Sequence, residues 1–341
     1  MRKWMILALT SLLVLAGASP VLAVSGAGAI ALEFPIGARY NAMGEAGVAL
    51  SQDATAIWWN PGGLAFLQDR STPHDLHIMQ SKLAAGLADD IALYFGGYAA
   101  RLGNGTLGAG LTYLDMGEQI ATSEDEVELG TFSSYMFAFG LAYGVKLSPN
   151  LGIGLGGKYF RDKLADDQIL QDRRGGSGDT FAFDAGVLWK VPAMRLNLGA
   201  AVTNLGPNIQ HVDADQSDPL PRKLTVGAAW GLLNSESSSL LLVADALMPL
   251  VVWDEDDQDY GLGIEFDENV YGFGAEWSYV QSLFVRVGYK NDSAGDIQDV
   301  TWGFGVDLDR WVGEGIGFAF AQVPQAQGLD NVKRFSLSYR F

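Results

Sequence analysis

The feature that most constrains this chain is a period of two that returns in segment after segment. From Ser133 to Leu147, Tyr135, Phe137, Phe139, Leu141, Tyr143, Val145 and Leu147 share one face of an extended chain. Met136, Ala138, Gly140, Ala142, Gly144 and Lys146 share the other. The next segment sets Leu151, Ile153, Leu155 and Tyr159 against Gly152, Gly154, Gly156 and Lys158. Phe181, Phe183, Val187, Trp189 and Val191 then oppose Asp184, Gly186 and Lys190, and Tyr271, Phe273, Ala275, Trp277 and Tyr279 oppose Gly272, Gly274, Glu276 and Ser278. A soluble sandwich turns its large stripe toward a second sheet and leaves the other face freely polar. Here the second face is mostly glycine and alanine with isolated charges. That suits the interior of a narrow, filled barrel, and the large aromatic stripe suits lipid. The pattern predicts an all-β fold, a transmembrane antiparallel β-barrel.

Composition points the same way, with 43 glycines and 11% aromatic residues spread evenly along the chain. Arg2 and Lys3, an apolar stretch over Met5–Gly17 and small residues at Val21 and Ala23 read as a signal peptide, residues 1–23, that is cleaved on export. Without Arg2 and Lys3, the 22 basic residues fall to 20 against 40 acidic ones, which argues against a nucleic-acid partner. There is no cysteine, hence no disulfide, thiolate metal site or cysteine nucleophile. No apolar run after residue 23 is long enough for a spanning helix.

Fifteen segments read as strands, near 74–80, 90–100, 106–116, 133–147, 150–160, 179–191, 194–204, 222–233, 239–247, 258–267, 270–280, 282–290, 299–309, 315–323 and 333–341. Links at 103–105, 148–150, 192–193, 234–238, 281–282 and 310–314 are short, whereas those at 117–132, 161–178, 205–221, 291–298 and 324–332 are longer. Bacterial barrels have even strand numbers, with short periplasmic turns and long outer loops. Short and long alternate strictly if 258–267 is left as a ribbon within an outer loop. The expectation is therefore 14 strands over residues 71–341, with both ends in the periplasm. The long loops are also the acidic ones, with Glu124-Asp125-Glu126, Asp213, Asp215, Asp218 and Asp254-Glu255-Asp256-Asp257. They read as solvated, with Ca²⁺ bridging to lipopolysaccharide the sharper alternative.

The final strand, "RFSLSYRF", aligns Phe335, Leu337, Tyr339 and the terminal Phe341, the alternation that the outer-membrane barrel-assembly machinery reads. Strand parity turns Lys146, Lys158, Asp184, Lys190, Asp245, Glu276, Arg286 and Asp307 inward, where Glu276 and Arg286 on consecutive strands are placed to pair. These lumen-lining charges either match one another to fill the barrel or line a polar route.

Little in the sequence points to catalysis. Gly103-Asn-Gly105-Thr-Leu-Gly108 and Gly152-Ile-Gly154-Leu-Gly156-Gly157 have dinucleotide-like spacing, but neither opens a helix after a strand. His74 and His77 point to opposite faces of a strand, so they are not a metal pair. His211, near Asp213 and Asp215, reads as a loop histidine before it reads as half of a water-activating pair. No catalytic residue, metal or cofactor is predicted.

Residues 24–70 differ from the rest, being rich in Gly and Ala with weak alternation. Within "DATAIWWNPGGLAFL", Asp53 is placed to cap a helical turn over Ala54–Trp59, and Asn60-Pro61-Gly62-Gly63 ends it. Trp58 and Trp59 are expected to wedge against the inner wall, with Gly62 and Gly63 letting the chain reverse toward the first strand. The run "GARYNAMGEAGVALSQDATAIWWNPGGLAFL" resembles the N-terminal hatch of FadL-like outer-membrane proteins. "LTYLDMGEQIAT", "FAFDAGVLWKVP", "LGAAVTNLGPNI" and "SLFVRVGYK" resemble the PorV/PorQ branch of that family. The resemblance implies a 14-stranded barrel in the outer membrane, plugged in its lumen by a hatch in which Asn60, Pro61, Gly62 and Gly63 form the turn and Trp58 and Trp59 the anchors. Gly62 stands where the family has alanine, a change expected to loosen the turn. The resemblance implies no enzyme. It implies either a component of type IX protein export, partnered by a translocon and exported proteins, or a channel for hydrophobic small molecules such as long-chain fatty acids.

Overall fold

The computed structural model describes residues 28–84, 88, 90–122, 128–165, 176–211, 217–254, 259–263, 268–312, 315–325 and 329–341. Fourteen strands form the barrel. They are β1 (His74–Lys82), β2 (Ala92–Leu102), β3 (Gly105–Thr122), β4 (Glu128–Ser148), β5 (Leu151–Lys163), β6 (Ser177–Val191), β7 (Leu196–Leu205), β8 (Lys223–Asn234), β9 (Ser238–Pro249), β10 (Val270–Tyr279), β11 (Leu283–Asp292), β12 (Ile297–Asp307), β13 (Gly315–Val323) and β14 (Val332–Arg340). Each pairs antiparallel with the next, and β14 returns to β1 from Asp75↔Arg340 to Lys82↔Lys333. Closure satisfies every strand edge within the protein, the condition for a sheet in a bilayer. No helix among the described residues is long and apolar enough to cross a membrane.

The expected count of 14 matches, and Asp259–Leu262 pairs with Val251–Asp254 as a two-stranded ribbon outside the barrel. The link expected over 117–132 is instead largely strand. β3 and β4 run on beyond their expected ends as a long hairpin, with a bulge at Asp115/Glu118 where Gly117 takes φ +75°. A second small ribbon, Ile209–Gln210 with Ser217–Asp218, lies in a stretch that has no alternation to announce it. The signal-peptide residues, Glu124–Glu126, Asp213, Asp215 and Glu255–Asp257 fall outside the described residues.

Side chains sort by parity. Leu155 (70% exposed) and Phe183 (64%) project outward, and ring contacts run strand to strand through Tyr94, Tyr113, Tyr135, Phe137, Tyr159 and Phe181. Such a belt suits the headgroup level of a membrane. Inward, Met79, Leu93, Phe95, Leu114, Met136 and Phe160 are buried against Leu32, Ile36, Met43, Trp58 and Trp59 of the N-terminal segment. That segment touches the ring at well-separated strands. Asn60 bonds to β6, while Gly44 lies so close to β10 and β11 that a Cβ there would sit 2.5 Å from the Phe273 and Tyr289 carbonyls. Gly44 also has φ +72°, so both space and backbone require glycine.

Candidate functional site between the N-terminal segment and the barrel wall

A short segment without sheet partners carries backbone N–H groups that must find acceptors when buried. Here side chains of the wall supply them. Ser336 accepts from Ala38 N (2.9 Å), Thr301 from Gly44 N (2.8 Å) and Asp75 from Ala54 N (2.9 Å). Asp245 accepts from both Gly47 N (2.7 Å) and Val48 N (2.8 Å) through one oxygen. The wall meets the segment as a set of acceptors pointing at its main chain.

The Asn-Pro-Gly-Gly turn is the reverse contact, from segment to wall. Ala56–Trp59 forms one helical turn, and Asn60 leaves it in extended conformation (φ −166°, ψ 100°). The Asn60 amide donates to the Val48 carbonyl (2.8 Å) and the Val187 carbonyl (2.9 Å), while its oxygen accepts from Gly62 N (3.0 Å). Pro61 then begins a 3₁₀ helix that runs to Asp69. Gly62 and Gly63 lie inside this helix and do not serve as a reversal. Their need for glycine is close approach, since a Cβ on Gly62 would lie 2.8 Å from the Gly186 carbonyl oxygen and 2.9 Å from Val187 Cα. The expected loosening at Gly62 is therefore replaced by tight contact. Asp53 stands at the head of this turn: its Oδ1 accepts from Thr55 N (2.9 Å) and its carbonyl from Ala56 N (3.0 Å), the hydrogen bonding of a cap on a turn that starts at Ala54, two residues before the regular helix.

The tryptophans divide their roles. Trp59 meets Trp58 edge to face (centroids 4.7 Å apart), packs at a tilt on Tyr40 (5.4 Å) and donates to the Ile36 carbonyl (3.0 Å), so these contacts lie within the segment. Trp58 meets the wall, with the Lys223 ammonium 4.3 Å from its ring centroid. Both rings belong to the buried cluster that includes Met79, Phe95 and Phe160 of the wall, and Trp59 also builds the segment's own core.

Charges facing the lumen gather around the segment. Glu276 and Arg286 are directly opposed on β10 and β11, with Arg286 Nε 2.6 Å from Glu276 Oε2. Arg39 of the segment grips the same carboxylate with Nε (2.9 Å) and Nη2 (2.7 Å), the bidentate geometry specific to arginine. Lys158 pairs with Asp184 (2.8 Å) and donates to Asn204 (2.8 Å). Lys146 bonds to Asp69, and Lys190 lies 3.9 Å from the centroid of Phe66. Asp307 pairs with Arg340. Glu45 receives Lys290 (3.0 Å) and Arg334 (3.9 Å). Burial opposes the charge on Glu45, but those two cations outweigh it and hold its carboxyl below the usual range. Burial likewise pushes the Tyr40 hydroxyl up, helped by the Asp53 carboxylate to which it donates (3.0 Å).

Sequence reasoning passed over Arg39, Glu45, Asp75, Lys223, Lys290 and Arg334. Parity alone would have turned Asp75, Lys290 and Arg334 inward, since each lies an even number of residues from His77, Arg286 and Ser336, which are buried. Arg39 and Glu45 carried no such signal. His211 pairs with Asp162 of β5 (3.0 Å), and Asp213 and Asp215 fall outside the described residues. His74 stacks outward on Tyr98 and Phe341, whereas His77 is buried inside. Both glycine-rich stretches lie in strands or a strand turn, and Gly152 and Gly154 press on Pro61, Gly62 and Ala65. Phe335, Leu337 and Phe341 face outward, and Phe341 stacks on Tyr339 with centroids 4.9 Å apart.

Solved structures with the same architecture include the toluene transporter TbuX of Ralstonia pickettii (TM-score 0.55, 13% identity, 89% of this chain and 97% of that one). The Pseudomonas putida toluene transporter TodX gives a TM-score of 0.56 at 14% identity, covering 90% and 98% of the two chains. A FadL homologue of Pseudomonas aeruginosa gives 0.51 at 12% identity, covering 89% and 97%. At these identities the likeness is one of fold. No curated protein matches by sequence. Residues 25–252, well over half of the chain, match the family described as type IX secretion system protein PorV. On that match the chain belongs to the PorV family, and its closed barrel has the fold shared by those transporters and the FadL homologue.

Proposed function

We propose that this protein is a non-enzymatic component of type IX-like protein export across the outer membrane, delivered there by its cleaved signal peptide. The observation that carries the reading is the family match over residues 25–252. In this reading, residues 24–70 are a hatch that keeps the lumen closed. Asn60, Pro61, Gly62 and Gly63 lock it, Trp58 and Trp59 are its packing anchors, and Lys146, Lys158, Asp184, Lys190, Glu276 and Arg286 fit the wall to it. Phe335, Leu337, Tyr339 and Phe341 present the C-terminal strand to the barrel-assembly machinery. The partners are membrane lipid and lipopolysaccharide, a secretion translocon and exported proteins, and the role needs no cofactor. Support comes from the apolar interior, where Leu32, Ile36 and Met43 of the chain itself occupy the space that a hydrophobic passenger would take.

A second reading, a channel for hydrophobic small molecules, is favoured by the fold shared with proteins titled toluene transporters. Affinity capture of the tagged protein from outer membranes separates the two. Co-purification of translocon or exported proteins is expected; their absence together with a lipid or hydrocarbon held in the lumen would transfer the assignment to uptake.

A further inference from the structure

A cavity of about 210 Å³ lies at the end of the barrel that carries the C-terminus and the short turns, between the segment and the inner faces of β1 and β11–β14. Its hydrogen-bond inventory is one-sided. Glu276, which holds Arg39 and Arg286 at its edge, accepts on both oxygens. Asp53 accepts from Thr55 on one oxygen and Tyr40 on the other. Asp75 accepts from Ala54 N (2.9 Å) and Arg70 Nη1 (2.7 Å), and Asp307 from Asp309 N (3.0 Å) and Arg340. Every carboxylate oxygen around the cavity is therefore engaged.

Donors remain. Arg286 is 5% exposed, spends only Nε on Glu276, and leaves Nη1 buried without a partner. His77, 7% exposed and also lining the cavity, leaves Nε2 buried without a partner. The Arg286 guanidinium lies against Gly305, where a Cβ would come within 2.6 Å of Nη1, so a glycine keeps its place open. A buried, unpaired guanidinium N–H beside saturated carboxylates is costly until an acceptor arrives.

We propose that this cavity binds a small oxyanion, seated on the free edge of Arg286 and within reach of His77. A guanidinium edge matches the two oxygens of a carboxylate or phosphate, so the shared chemistry is a planar or tetrahedral oxyanion. The volume exceeds that of a bare ion, and Phe284 and Val306 add apolar lining, which leaves room for the body of a short organic acid.

The test is calorimetric titration of the full-length protein in nonionic detergent with sodium phosphate, acetate and benzoate, with choline chloride as the cationic control. Saturable binding of an anion and none of choline is expected. Benzoate binding more tightly than acetate identifies an organic acid, and phosphate binding most tightly identifies the inorganic ion. Arg286→Met should weaken binding by about tenfold or more. Ser338→Leu fills the cavity without changing a charge and should do the same, so it decides the matter if Arg286→Met fails to give a heat-modifiable barrel. No saturable binding of any anion up to about 50 mM, or undiminished binding in the folded variants, would overturn the proposal.

Discussion

The side-chain amide of Asn60 donates to the main-chain carbonyl of Val187 at 2.9 Å, joining the N-terminal segment to β6 across 127 residues of sequence. The same amide holds Val48 at 2.8 Å, so one side chain ties the segment to itself and to the wall. The neighbouring Gly186 and Gly62 have no Cβ between them, which is what lets the two backbones come close enough for the bond.

Replacing Asn60 by alanine leaves two buried carbonyls and the Gly62 N–H without their partner. We expect a loss of about 2–4 kcal/mol, read as a lower midpoint of thermal unfolding in detergent and faster proteolysis of residues 28–70. An unchanged midpoint would mean that water replaces the amide.

Gly62→Ala should destabilise, because the new methyl meets the Gly186 carbonyl at 2.8 Å. Overpacking against backbone costs about 1–3 kcal/mol. The same melting measurement checks it, and a gain in stability would show that β5 and β6 yield.

Trp59→Ala removes a ring packed on Trp58 and Tyr40 and should cost about 3–5 kcal/mol. Trp58→Ala should cost less, as its outer face meets the Lys223 ammonium. Together they are expected to raise single-channel conductance in planar bilayers. Conductance equal to that of the parent would confine the pair to a packing role.

Acid should release the segment. The Glu45 carboxyl is held below its ordinary value of 4.5 by Lys290 and Arg334, which prevail over burial. A lowered folded-state value stabilises at pH above the unfolded-state value, and that contribution is lost as pH falls through the folded-state value. Melting midpoints should therefore drop below about pH 4.5. Glu45→Gln should lower the midpoint at neutral pH and flatten the acid limb; an acid limb of full size in the variant would place the effect elsewhere.

Deleting Phe341 should slow insertion into lipid vesicles. Phe341 exchanges main-chain hydrogen bonds with His74 (3.0 and 3.2 Å) at the seam where β14 meets β1, and its ring stacks on Tyr339 and His74. An open seam leaves strand edges exposed to lipid. The check is the rate at which the heat-modifiable form appears, and an unaltered rate would remove Phe341 from the assembly signal.

The sequence by itself determined which face of each strand meets lipid and how many strands close the barrel. Alternation is a property of neighbouring residues, and a strand carries it whatever surrounds it. Tyr135 to Leu147 could be sorted without knowing their partners, and the parity that paired Glu276 with Arg286 needed only two adjacent strands. The tertiary structure alone decided how the N-terminal segment is held. Arg39 reaches Glu276 over 237 residues and Arg334 reaches Asn41 over 293, distances at which no local period carries information. The segment has no repeating backbone pattern of its own, so the acceptors for its N–H groups are set by the closed wall around it. Gly62 was misjudged for that reason: its contact with Gly186 and Val187 is placed by what closure brings near it, and closure is a property of the whole ring.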